Sequence, residues 1–190
     1  MRGLVGVVLV VVALGAGCSV ARENPAPVVT GPVTSSVKPS VPQVMRALDL
    51  DLYRDRPCAL VSDAYLGAVG MSANHKGTSS TDECFWEEPG TGNGGLMLRL
   101  YFDRSPLAVA YERDADRYEL FETFEVLGYP AVAEAETAAD GVCVVIIGTA
   151  DDQGLMLVKY PDKGYEPGDM RGVCGLLQLV GEGAVGTMTA

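Results

Sequence analysis

Five cysteines are the residues of this chain best suited to chemistry. Cys18 ends the run Val12-Ala13-Leu14-Gly15-Ala16-Gly17-Cys18-Ser19, an apolar stretch closing on small residues. That is the pattern of a signal peptide whose last act is to present a thiol for lipid transfer. Cys58, Cys84, Cys143 and Cys174 remain, an even number, and in an exported domain they are expected to form two disulfides. Were Cys18 not lipidated, it would be left over as an odd thiol. Four cysteines allow three connectivities, and sequence alone does not fix one. Cys58–Cys84 with Cys143–Cys174 is favoured, because each closes a loop of about 25–30 residues and contributes on the order of 3 kcal/mol.

Other reactive side chains form no recognisable constellation. His75 is the single histidine and lies in the polar run Ala73-Asn74-His75-Lys76-Gly77, with no nucleophile motif beside it. It reads as a solvated loop residue. No CxxC or HxxxH pair offers zinc ligands. Asp82, Glu83, Glu87, Glu88, Asp151 and Asp152 are oxygen donors, but they lack the spacing of a calcium loop. Glu112, Asp114, Asp116 and Glu119 alternate with Arg113 and Arg117, as on a solvent-facing helix, and not as two carboxyls facing each other across a cleft. The glycines from Gly90 to Gly95 lack the Lys-Ser/Thr ending of a phosphate loop and read as a hairpin turn. No catalytic residue, metal or cofactor is therefore expected, and the chain is not expected to be an enzyme. Trp86 falls two residues after Cys84, so the two share one side of a strand beside a disulfide. The alternative use of Trp86 is to line a ligand groove with Tyr101, Tyr129 and Tyr160.

Charge narrows the partners. Of 190 residues, 48% are hydrophobic and 21% charged, a globular profile, and the formal net charge is −11. No basic patch is visible for phosphate backbones, so nucleic acid is excluded as a partner. Anionic headgroups would repel this surface, and membrane contact falls to the lipid on Cys18.

The elements that must hold these residues follow in order. Residues 1–17 have Arg2 before a Val/Leu/Gly/Ala run too short to span a bilayer as a helix, hence a lipoprotein signal peptide. Gly15 stands where the strict lipobox has leucine; the alternatives are an uncleaved anchor or a plain signal peptide. Residues 18–43 carry Pro25, Pro27, Pro32, Pro39 and Pro42 among Ser, Thr and Val, an extended tether of about 3 Å per residue. Residues 44–190 form the domain. Ser62 caps a short helix ending at Gly70, with Leu66 and Val69 inward. Ser72 to Asp82 reads as exposed loop. Strands are expected at Cys84 to Glu88, at Leu96 to Phe102 by strict alternation, at Phe121 to Val126 and at Ala131 to Glu136. Val142 to Thr149, apolar on both sides, reads as a central strand, and Asp151-Asp152-Gln153-Gly154 turns into Leu155 to Tyr160. Ser105-Pro106 opens a helix running to Arg117. A last helix spans about Asp169 to Met188 with Val173, Leu176, Leu177, Val180 and Val185 at helical spacing, weakened by Gly172, Gly175, Gly181, Gly183 and Gly186. This order gives an α+β domain, an antiparallel sheet packed by helices.

Taken together, the lipobox, the Pro-rich tether, Asp55-Arg56-Pro57-Cys58-Ala59-Leu60-Val61, Cys84-Phe85-Trp86, Gly128-Tyr129-Pro130-Ala131-Val132, Gly141-Val142-Cys143-Val144-Val145 and a late helix holding Cys174 resemble a known group. They resemble the actinobacterial secreted lipoproteins gathered as a family of unknown function. The resemblance implies an envelope lipoprotein on the outer face of the cell membrane and brings no catalytic residues with it. The glycine-rich last helix departs from the more alanine-rich pattern of that group. The expected function is a non-catalytic binding or accessory module for an envelope protein. The rival readings are a carrier of a lipid or other apolar ligand, and a hydrolase with an unrecognised site.

Overall fold

Alternation of apolar and polar side chains builds most of this domain. The computed structural model describes residues 40–72, 76–88, 94–161, 168 and 170–190, the side chains of 76–79 excepted. Cys18, the signal segment, most of the tether, His75 and the start of the glycine turn lie outside the described residues. Seven strands are described: β1 (Lys76–Ser79), β2 (Glu83–Glu87), β3 (Gly95–Tyr101), β4 (Leu120–Val126), β5 (Tyr129–Ala135), β6 (Cys143–Gly148) and β7 (Gly154–Tyr160). They form one sheet in the order β1-β2-β3-β7-β6-β5-β4, antiparallel at every pairing. Three helices pack on it: α1 (Asp63–Ala68), α2 (Pro106–Glu112) and α3 (Met170–Thr189). The expected α+β class is the one found.

The two faces of the sheet are covered unequally. Leu96, Leu98 and Leu100 of β3, Val145 and Ile147 of β6, and Leu155 and Leu157 of β7 point to one side and are fully buried with Leu177, Val180, Ala184 and Val185 of α3. Each large aliphatic side chain buried this way stabilises the fold by about 1.5–3 kcal/mol. The outer face carries the alternate residues, and the short α2 covers part of it through Leu107, Ala110 and Tyr111 against Val132 and Ile146. The strand Val142 to Thr149 is central in the expected sense. As β6 it lies between β5 and β7 with helices on both sides.

Two disulfides tie the helical side to the sheet. Cys58 lies within a 3-10 turn (Pro57–Leu60) and joins Cys84 of β2, with Cα atoms 5.2 Å apart. Cys143 of β6 joins Cys174 in the first turns of α3, at 5.6 Å. These are the pairings that loop length favours.

Local signals account for several boundaries. Ser105 Oγ accepts from Ala108 N at 3.1 Å and Pro106 opens the helix, as its sequence indicates. Between β4 and β5 the turn is Leu127-Gly128, with φ of 50° and 84°, the left-handed pair that a two-residue hairpin demands.

Three expectations change. The polar stretch from Ser72 to Asp82 is not all loop. Within it β1 pairs with β2 through the registers Lys76↔Trp86 and Ser79↔Cys84, held as an edge strand by backbone pairing without an apolar face. The helix from Ser105 does not reach Arg117: α2 ends at Glu112, Arg113 turns extended at ψ 160°, and Ala115–Arg117 forms a separate 3-10 turn. Leu176, expected inward, is exposed, and only Leu177 of that pair is buried.

Candidate functional site

A strand residue with no partner strand above it either meets solvent or must be paired. Across the outer face, the register aligns Phe85, Met97, Val158, Val144, Glu134 and Phe121 in one row over six strands. Glu134 is the acid in a row otherwise apolar, on a strand whose every residue is buried. Its side chain keeps only 4% of its exposure. A lone buried carboxylate costs several kcal/mol unless it is paired.

The pairing comes from the break after α2. Because the chain turns extended at Arg113, that side chain reaches back over β5, and its Nη1 donates to Glu134 Oε1. The same Nη1 lies 3.4 Å from the Tyr118 hydroxyl. Glu134 Oε2 is buried and has no hydrogen-bond partner among the described residues. Burial pushes the Glu134 carboxyl above the ordinary carboxylate range; Arg113 pulls it back only in part, and neighbouring Glu136 adds to the rise. Arg113 is 39% exposed and stays charged: burial is the largest single effect and pulls its pKa down, but Glu134 and Tyr118 together raise it above the ordinary arginine value.

Arg113, Tyr118 and Glu134 line a cleft of 370 Å³ together with Glu136, Thr137, Asp140, Val142 and Val144. Glu119 holds the neighbouring backbone, accepting from Ala138 N at 2.5 Å and from Thr137 Oγ1 at 3.5 Å. An acidic, half-apolar cleft whose lining includes a carboxylate with one unpaired oxygen suits a ligand group that donates hydrogen bonds, an ammonium or an amide. Among the described residues no three histidine, cysteine or acidic side chains converge as a metal site.

The aromatic quartet considered from sequence is not brought together. Trp86 and Tyr129 are buried in the core on the α3 side, Trp86 beside the buried Cys84. Tyr101 and Tyr160 lie half-buried on the opposite face, where each hydroxyl approaches a methionine sulfur, Met156 at 3.8 Å and Met97 at 3.9 Å. Phe85 joins Tyr160 there with ring centroids 6.2 Å apart. Sequence reasoning missed Glu134 and misjudged Arg113, which it set on a solvated helix face. The available signal was an acid inside Ala131-Val132-Ala133-Glu134-Ala135, a run otherwise fit for burial.

Comparison with known proteins returns one family. Its model, described as Protein of unknown function (DUF3558), matches residues 13–187. No curated protein and no solved structure matches the chain.

Proposed function

The chain belongs to the DUF3558 family of proteins of unknown function, and on that premise we propose that it is a lipid-anchored, extracytoplasmic binding module of the cell envelope. The anchor is Cys18, at the end of a signal-peptide pattern and ahead of a proline-rich tether. Two disulfides suit an oxidising compartment. The observation that carries the binding role is that buried Glu134, whose Oε2 has no hydrogen-bond partner among the described residues, lines this cleft. A fold retains such a group against its desolvation cost where a ligand completes it.

Binding is favoured over hydrolysis because Arg113 already holds one Glu134 oxygen and the cleft lining contains no serine, cysteine or histidine nucleophile–base pair. It is favoured over apolar carriage because the sheet face under α3 is filled by fully buried aliphatic side chains. The partner's contact group is an ammonium or amide, presented by an envelope protein.

Two measurements test this reading. Cys18→Ala should release the protein from the membrane or leave it unprocessed; normal processing and anchoring would overturn the anchor. A photo-crosslinking residue placed at Val144, on the cleft wall, should give a discrete adduct in intact cells. That adduct should disappear with Glu134→Leu, and an adduct indifferent to position 134 would sink the cleft as the binding site.

A further inference from the structure

A second cleft, at the end of β3, has the opposite chemistry. It measures 490 Å³ and is lined by Arg54, Asp82, Arg99, Tyr101, Asp103 and Arg104 among others. Its lining brings three arginines together with two aspartates on a chain of net charge −11. Arg54 is committed: it stacks over the Phe102 ring at 3.7 Å and donates to Asp51 Oδ1 at 2.6 Å. Arg99 and Arg104 are held more loosely. Both guanidiniums stand against the Tyr101 ring, at 5.8 Å and 5.5 Å from its centroid. Arg99 makes two long ion pairs, with Asp82 at 3.6 Å and with Glu83 at 4.0 Å, both longer than a hydrogen bond. Arg104 has neither an ion pair nor a hydrogen bond among the described residues.

We infer that this cleft is an oxyanion site that takes a phosphate group between Arg99 and Arg104. A guanidinium fork matches two oxygens of a phosphate at once, and a lysine cannot reproduce that geometry. Resting on an aromatic ring holds each fork in place beforehand, so less side-chain freedom is lost when the ligand arrives. Both a phospholipid headgroup and a soluble phosphate ester present this chemistry. The site is independent of the Glu134 cleft, since the two share no lining residue.

The test is calorimetric titration of the full-length protein at low ionic strength with inorganic phosphate and with short-chain phosphatidylglycerol. Saturable binding of inorganic phosphate is expected, weakened at least tenfold by Arg99→Ala or Arg104→Ala, reduced severalfold by Arg104→Lys and untouched by Glu134→Gln. Tighter binding of the short-chain lipid identifies a headgroup as the source, and binding no tighter than inorganic phosphate identifies a soluble phosphate. Both outcomes support the site. No binding of either probe, or binding that the Arg99→Ala/Arg104→Ala double variant retains, overturns it. Arg104→Glu supplies the check on folding, because that side chain makes no ion pair whose loss could unfold the domain. Its thermal unfolding should match the parent while phosphate binding is lost.

Discussion

Arg113, the first residue past α2, closes an ion pair with Glu134 of β5 while one oxygen of that carboxylate is left unpartnered. The pair is lopsided, since Glu134 is buried and Arg113 keeps much of its hydration. Removing the exposed member therefore strands a buried charge. Losing one partner of a fully buried pair costs about 3–5 kcal/mol, and the partial exposure here lowers the expectation for Arg113→Ala to about 2–3 kcal/mol at neutral pH. Urea unfolding measures it. A loss under about 0.5 kcal/mol, the size of an ordinary surface change, would mean the carboxylate is hydrated after all.

The same carboxyl gives stability a pH dependence of definite sign. Its folded-state pKa is raised by burial, so the native state holds that proton more tightly than the unfolded chain. Its contribution is then fully present below the ordinary carboxylate range and is lost as pH rises through the raised value. Glu134→Gln removes this term. The stability of the variant relative to the parent should rise from about pH 4 to about pH 7, the window above the unfolded glutamate pKa. In Arg113→Ala nothing pulls the carboxyl back, and the fall of stability with pH should be steeper. A parent–Gln difference flat across that window would show that Glu134 titrates normally.

Each disulfide closes a loop, of 26 residues for Cys58–Cys84 and 31 for Cys143–Cys174. Chain entropy predicts about 3–4 kcal/mol for either. Cys143→Ala/Cys174→Ala should lower the unfolding free energy by that amount, and it should do so without loosening the β2 end of the sheet. Hydrogen exchange resolves the two: amides of α3 should lose protection first, whereas Cys58→Ala/Cys84→Ala should spare α3. Uniform loss in both variants would show that the bonds act only on the unfolded chain.

What was legible in the sequence was whatever depends on local pattern. Leu96, Leu98 and Leu100 announced β3 by alternation, Ser105-Pro106 announced the start of α2, and loop length favoured, without fixing, the two bridges that form. What was not legible depends on register. Trp86 and Tyr101 belong to neighbouring strands, and only the pairing Trp86↔Leu96 sets them on opposite faces. The aromatic groove fails for that reason. Glu134 escaped notice for a related one: its burial requires α2 to stop one residue before Arg113, and α2 stops there so that Arg113 can reach it. Neither half of that arrangement shows in the local sequence. The strand β1 has no apolar alternation to announce it.

The glycines of α3 carry the same lesson to a test. Read as a helix, each glycine is a defect that alanine would mend by up to about 1 kcal/mol. The packing separates them. A Cβ on Gly183 would stand 2.6 Å from Cγ of Tyr65, the root of that ring, and a Cβ on Gly181 would stand 2.7 Å from Ile147 Cδ1. Gly175 has nothing within 4 Å. Gly175→Ala should therefore stabilise the domain by about 0.5–1 kcal/mol, the helix-propensity gain. Gly183→Ala should destabilise it by about 1–3 kcal/mol, because overpacking against Tyr65 exceeds that gain. Gly181→Ala should fall between them, since the tip of an isoleucine yields more easily than the base of an aromatic ring. If Gly183→Ala proved as stabilising as Gly175→Ala, the close approach of α1 and α3 would be wrong. The departure from an alanine-rich helix would then be a tolerated weakness of this chain, and not the means by which α3 seats against its neighbours.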